Sequence, residues 1–213
     1  MAKKRVLNKK EIGDVLDFLA SAYPDAECAL DFRNKWELLV AVVLSAQTTD
    51  KSVNAVAPEL FKRWPDAETL AVANPAEVED VIRTIGMYRT KSKNIVRLAS
   101  KVLEDFGGEV PQDFDKLISL PGVGRKTANV VLSVGFGEQH IAVDTHVFRV
   151  SNRIGLCNEK DVLKTELALM KAIPENRWTQ AHHCLIWHGR RVCNARKPDC
   201  ENCIINELCL FVK

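Results

Sequence analysis

Apolar residues recur along the chain at a spacing near 3.6 residues, and the polar breaks between them carry helix start and stop signals. Asn8, with Glu11 three positions on, has the form of a capping box; Ile12, Val15, Leu16 and Leu19 then fall on one face, and the run stops before Pro24. Asn34 and Glu37 repeat the signal ahead of LLVAVVL (38–44), which is apolar all round and predicts a buried helix running through the core. Asp50 is expected to cap another helix, which Pro58 should kink or split. Asn74, Pro75 and Glu77 open one more, since proline suits the first helical position. A periodic segment from Thr90 to Phe106 ends at Gly107 and Gly108, a short helix is expected from about Asp113, and later helices from near Asp144, Asn158 and Arg177. No segment sustains period-two alternation between hairpin turns, so a sheet has no source and the expected fold class is all-α.

With 213 residues and 46% hydrophobic content the chain can bury one large core or two small ones, as an ordinary soluble globule does. A net charge of +2 and a pI near 8.1 are too mild to argue for a polyanionic partner, so that case must rest on where the basic residues sit. The opening MAKKRVLNKK is basic, but no uninterrupted apolar run follows it; it reads as a solvated tail and not as a secretory signal. No run reaches membrane-spanning length, and no membrane partner is expected. Seven cysteines are the unusual feature, four of them from Cys193 onward. Without an export signal the expected compartment is reducing, where clustered cysteines hold metal more often than they pair.

The stretch LPGVGRKTANVVL (120–132) carries the chemistry. Gly122 and Gly124 supply a tight turn free of side chains, and Ala128, Val131 and Leu132 share a face of the helix that begins near Arg125. Backbone N–H groups exposed at such a helix start form a ready phosphate site, although a loop joining two packed helices has the same composition. A fainter echo, IGMYRTKSKNIV, precedes it, but helix pairs converge on such patterns and no repeat is built on it.

This stretch resembles the helix-hairpin-helix motif of the DNA glycosylase superfamily. SAQTTD (45–50), IRTIGMYRTKSKNI (82–95), AVDTHVFRVSNR (142–153) and the C-terminal cysteines match the endonuclease III family in the same order, from about Trp36 to Cys209. The resemblance implies two helical lobes with DNA and the active site between them: residues 28–137 with the hairpin, and residues 1–27 plus 138–213 with a 4Fe-4S cluster. It implies a base excision repair DNA glycosylase with abasic-site lyase activity on oxidised or ring-damaged pyrimidines. Lys126 takes the place of the family's catalytic lysine and Asp144 that of its aspartate. The Lys126 amine would attack C1′, expel the base and form a Schiff base, and β-elimination of the 3′ phosphate would follow.

An unperturbed lysine, pKa about 10.4, is uncharged in only about one molecule in 2,500 at pH 7. A helix N-terminus opposes the ammonium by roughly 0.3–1 kcal/mol, less than one pKa unit, so most of the activation has to come from burial once DNA covers the site. Asp144 in contact with that ammonium would work against this, and the expected roles are stabilisation of the positive sugar and acceptance of a proton. On local sequence alone Asp144 is equally an N-cap, and Lys126 an exposed first-turn lysine.

Chemistry at C1′ of a stacked nucleotide requires its extrusion from the duplex. The resemblance assigns the filling of the gap to Gln47 and the wedge to Met87, where the family commonly has leucine; each taken alone is an ordinary loop residue. Cys193, Cys200, Cys203 and Cys209 are spaced C-x6-C-x2-C-x5-C, which suits zinc or a 4Fe-4S cluster; spacing does not decide, and the resemblance implies the cluster. Arg190, Arg191, Arg196 and Lys197 surround the first ligand and, with Gly122, Gly124 and Arg125, form the expected phosphate contacts, against the alternative of a solvated basic loop. Cys28, Cys157 and Cys184 are expected to be buried small residues, His182, His183 and His188, in a helical segment with Trp178 and Trp187, to pack or to back the groups that act, and His146 to support the site. The expected partner is double-stranded DNA bearing damaged pyrimidines or abasic sites, bound by a cytoplasmic, nucleoid-associated monomer. Two rivals stand beside this reading. An adenine-mispair glycosylase of the same superfamily lacks the lysine at position 126 and usually carries a further C-terminal domain. A noncatalytic DNA-binding or redox-sensing cluster protein needs no such lysine.

Overall fold

The computed structural model describes residues 5–212; residues 1–4 of the basic arm and Lys213 lie outside the described residues. Among the described residues every regular element is helical and no strand occurs, in keeping with the absence of alternating segments. No helix is long and apolar enough to cross a membrane. The contacts group into two compact units, Ala29–Gly137 and Met1–Cys28 with Glu138–Lys213.

In the first unit α2 (Lys35–Leu44) is the central element: every residue from Trp36 to Leu44 is buried. Asn34 caps it, accepting from the Glu37 N–H at 2.9 Å. Around it lie α3 (Asp50–Arg63), α6 (Tyr88–Phe106) and α8 (Arg125–Val130), while α4 (Ala67–Ala71) and α5 (Pro75–Ile82) pack on α6. The short α7 (Phe114–Ile118) leads into α8.

Four details of this unit differ from the sequence-based expectation. The cap of α3 is Thr49, whose hydroxyl accepts from Ser52 N–H at 3.2 Å; Asp50 is instead the first helical residue, where its charge suits the helix dipole. Pro58 does not split α3, because Val53, Val56, Ala57, Leu60 and Phe61 are buried on both sides of it and hold the helix to the core. Helix α6 begins at Tyr88, two residues before Thr90. Helix α4, capped by Asp66, was not predicted, since five residues are too few to show a period.

The second unit is built on α1 (Lys9–Ala22), α9 (Thr145–Ile154), α10 (Val162–Ala172) and α11 (Trp178–Arg191), with α11 against both α1 and α9. The predicted capping box is formed: Asn8 accepts from Glu11 N–H at 3.0 Å while Glu11 accepts from Asn8 N–H at 2.8 Å. Ile12, Val15, Leu16 and Leu19 are buried in one cluster with Ala181, Cys184 and Leu185 of α11 and Val147, Val150 and Ile154 of α9, each contributing roughly 1.5–3 kcal/mol. Helix α10 starts after Asp161 and not near Asn158, because Asn152 holds the Glu159 N–H at 2.8 Å and keeps that segment out of the helix. Gly155 ends α9 at φ 97°, and a β-carbon there would lie 2.4 Å from Leu210 Cδ1. Two segments distant in sequence fasten at this point, through Leu7 N–H to Gly155 O at 2.9 Å and Leu210 N–H to Ile154 O at 3.0 Å.

Candidate functional site

The hairpin is assembled by a tight turn and the helix start that follows it. Leu120 to Val123 forms the turn, closed by Val123 N–H to Leu120 O at 3.1 Å, with Pro121 at its second position and Gly122 at its third with φ 79°, the type II pattern. Glycine is required there twice over, since a β-carbon would also stand 3.2 Å from Val43 Cγ1 of α2. Gly124 then starts α8 from an extended backbone with no side-chain cap, leaving the first-turn N–H groups of Lys126 and Thr127 without an intrahelical acceptor. Lys126 is exposed beside them. Arg125 is held over the Phe114 ring at 4.8 Å. The expected face of Ala128, Val131 and Leu132 is buried, and so are Asn129, Val130 and Ser133. Burial on every side follows from the continuation of α8 as a π-helical turn (Val131–Gly135) packed on α2, which the periodicity did not reveal.

Gln47 and Met87 share an unforeseen property. Among the described residues they alone, glycine aside, have positive φ, 53° and 58°. Left-handed backbone at a non-glycine residue costs roughly 1–3 kcal/mol and persists only where the surroundings enforce it, most often at functional sites. Both side chains are exposed, Met87 by 57%.

Asp144 is the N-cap of α9, accepting from Val147 N–H at 2.8 Å, and is half-buried. His146 is engaged with Arg149, whose Nη2 donates to its Nδ1 at 3.2 Å, and its ring meets α11 at Gly189. His182, His183 and His188 are buried, and burial pushes His183 and His188 down to about 4.

Cys193, Cys200, Cys203 and Cys209 line one cavity, together with Arg153, His188 and an apolar wall that includes Ile154, Val192 and Ile205, around some 330 Å³ of space partly open to solvent. Among the described residues no three His, Cys, Asp or Glu are arranged to hold a metal ion. Burial, reinforced by the neighbouring thiols, pushes Cys203 and Cys209 up; backbone N–H groups of Ile205 toward Cys203 and of Phe211 and Val212 toward Cys209 oppose this. Arg153 Nη1 donates to Cys193 Sγ at 3.5 Å. Four thiols about one cavity, with the Arg153 guanidinium and backbone N–H groups directed at sulfur, form a donor set that suits a sulfur-ligated metal group.

Two arginines of α9 fix the loop that follows the first of these cysteines. Arg149 donates to Gly189 O at 2.9 Å and Cys193 O at 3.1 Å, and Arg153 to Asn194 O at 2.8 Å and Ala195 O at 2.7 Å. Neither was singled out in the sequence, although their spacing of four on the polar side of α9 was the available signal. Arg196 and Lys197 stand exposed on this loop; Arg190 and Arg191 are exposed at the end of α11, Arg191 stacked on Trp187 at 4.1 Å. Cys157 and Cys184 are buried as expected, whereas Cys28 is only half-buried, on the irregular segment after α1.

Comparison with known proteins bears on these features. The model of the HhH-GPD superfamily of base excision DNA repair proteins matches residues 40–175. Endonuclease III of Bacillus subtilis (strain 168) is 49% identical over 205 residues, covering 96% of this chain and 94% of the relative. Endonuclease III of Escherichia coli (strain K12) is 46% identical over 208 residues, covering 96% and 97%. A solved structure of a trapped endonuclease III–DNA covalent intermediate superposes with a TM-score of 0.93 at 48% identity, covering 97% of each chain.

Proposed function

We propose, from the premise that this chain belongs to the HhH-GPD superfamily of base excision DNA repair proteins and within it to the endonuclease III family, that it is a DNA glycosylase that also cleaves the abasic strand. The observation that carries the reading is the setting of Lys126, an exposed amine on the first turn of an uncapped helix, directly after a turn free of side chains. Backbone N–H groups there are suited to a DNA phosphate, which would bring the strand past the amine.

In the reaction, the uncharged Lys126 amine adds to C1′ of the damaged nucleotide as the C1′–N bond to the base breaks, and the base leaves with a proton. The sugar ring then opens: the nitrogen lone pair forms the C1′=N bond of a protonated Schiff base as the C1′–O4′ bond breaks, and O4′ leaves with that electron pair and takes up a proton. Removal of a C2′ proton then breaks the C3′–O bond and releases the 3′ phosphate, and water frees the lysine. Lys126 is exposed in the protein alone, so the dry surroundings its amine needs must come from bound DNA. Asp144, held by the backbone of its own helix, offers a fixed negative charge to the sugar as the base departs. The substrates we assign are oxidised or ring-damaged pyrimidines and abasic sites in duplex DNA, with Gln47 and Met87 occupying the space left by the extruded nucleotide.

Cys193, Cys200, Cys203 and Cys209 would hold a 4Fe-4S cluster, whose contribution is structural: fixing the loop of Arg196 and Lys197 for phosphate contact, with no part in bond breaking. The protein acts as a cytoplasmic, nucleoid-associated monomer. Borohydride reduction with an abasic duplex tests the reading: the protein should form a covalent adduct whose mass places the sugar on Lys126, and Lys126→Gln should form none. An adduct on another residue, or an undiminished adduct in Lys126→Gln, would exclude this mechanism.

A further inference from the structure

We infer that Lys91 is a positioning residue that locks the Gln47 and Met87 loops into one rigid wedge, so that both side chains enter the duplex together; this rests on the DNA-contact reading of those two residues. Lys91 lies one turn into α6, is 5% exposed, and its ammonium donates to the hydroxyl of Thr48, the residue after Gln47. Its own N–H donates to Met87 O at 3.0 Å, so one residue holds both loops. A second contact lies alongside: a β-carbon on Gly86 would stand 3.8 Å from Gln47 O and from Thr48 Oγ1, so the two backbones run in close approach.

Stability alone gives Lys91 little reason to be there. A buried ammonium loses its hydration, and a single hydroxyl acceptor is weak recompense; burial accordingly lowers the pKa of the side chain. Placement supplies the reason. Gln47 and Met87 both sit in left-handed backbone that the chain would leave if unconstrained, and the Lys91 bridge joins the segments that carry them. A wedge that has to part stacked bases needs its two tips fixed relative to each other before contact, since ordering them during insertion would add an entropic cost to extrusion.

The test follows extrusion by stopped-flow fluorescence, with the full-length protein and a duplex carrying 2-aminopurine beside an uncleavable tetrahydrofuran abasic analogue. Lys91→Met and Thr48→Val should each slow the fluorescence rise about tenfold. Because they break one bridge, the double variant should be no slower than the slower single one by more than about twofold. Borohydride trapping on single-stranded abasic DNA, where no stack has to be parted, should be unchanged in both. An extrusion rate within about twofold of the unaltered protein in Lys91→Met, or effects that add fully in the double variant, would overturn the inference. Should Lys91→Met fail to fold, Thr48→Val, which keeps the lysine, decides alone. Gln47→Ala and Met87→Ala in the same assay separate the two claims: if neither slows extrusion, the DNA-contact reading itself fails.

Discussion

Asp144 shows how one side chain can satisfy a structural and a chemical reading at once. Its carboxylate accepts from Val147 N–H at the start of α9, as a cap residue does, and that bond fixes its orientation on its own helix; the proposed mechanism asks the same carboxylate for its negative charge. The two roles separate by substitution. Asparagine caps as well as aspartate, so Asp144→Asn should change stability by less than about 0.5 kcal/mol, whereas Asp144→Ala should cost about 1 kcal/mol. Both should lose base release on a lesion duplex by about a hundredfold or more, because both lose the charge. Urea unfolding set beside a single-turnover assay reads the two quantities, and an Asp144→Asn protein with full glycosylase rate would assign the residue to capping alone. At this scale the sequence was legible for several residues that act through their neighbours in the chain, as Asn8, Asn34 and Asn74 do in capping their helices, though not for the caps Thr49, Asp66 and Asp161. Lys91 and Thr48 were not legible: they lie 43 positions apart, and a lysine inside a helical pattern reads as an exposed one.

Among the elements, α9 connects the most features in the least length. Its first turn is capped by Asp144, Arg149 and Arg153 hold the backbone from Cys193 to Ala195, and at its C-terminal end Ile154 and Gly155 accept from Leu210 and Leu7. The sequence located this helix from its cap, but not the arginine clamp, because carbonyl acceptors leave no mark in a sequence. Helix α3 presents the opposite case. Proline in mid-helix is the strongest local break, and the rule predicted a kink or split at Pro58. Burial of Leu60 and Phe61 beyond it carries the helix on to Arg63, a tertiary effect outweighing a local one. Pro58 is itself exposed, and in a regular helix the residue at that position donates to the Asn54 carbonyl, which proline cannot do. Pro58→Ala should therefore stabilise the protein by roughly 1–3 kcal/mol, read as a higher urea midpoint with an unchanged slope. A lower midpoint would show that the proline ring packs in a way its exposure does not indicate.

For the molecule as a whole, the fold class was legible because it depends on a period repeated in nearly every segment. The gathering of four cysteines around one cavity was visible only as a spacing, and the π-helical turn on α2 not at all. Charge is where the whole-molecule view changes the argument. A net +2 over 213 residues gives no general pull on DNA, so affinity has to come from basic groups held in fixed places. Arg196 and Lys197 are the clearest such pair: both are exposed, on a loop whose backbone is tied to α9 through Asn194 and Ala195 and whose flanking cysteines line the cavity. If each neutralises one phosphate, Arg196→Ala with Lys197→Ala should weaken binding to any duplex, damaged or not. Each phosphate contact contributes about 0.9 to the slope of log affinity against log salt, so the double variant should bring that slope nearer zero by about 1.8. If the four thiols hold the proposed cluster, removing it with a chelator should have the same sign of effect, because the loop would lose its anchor while keeping its charges. A salt titration of the unaltered, double-variant and chelated proteins on one undamaged duplex distinguishes the cases. An unchanged slope in the double variant would mean that the loop is merely solvated and that phosphate binding resides elsewhere.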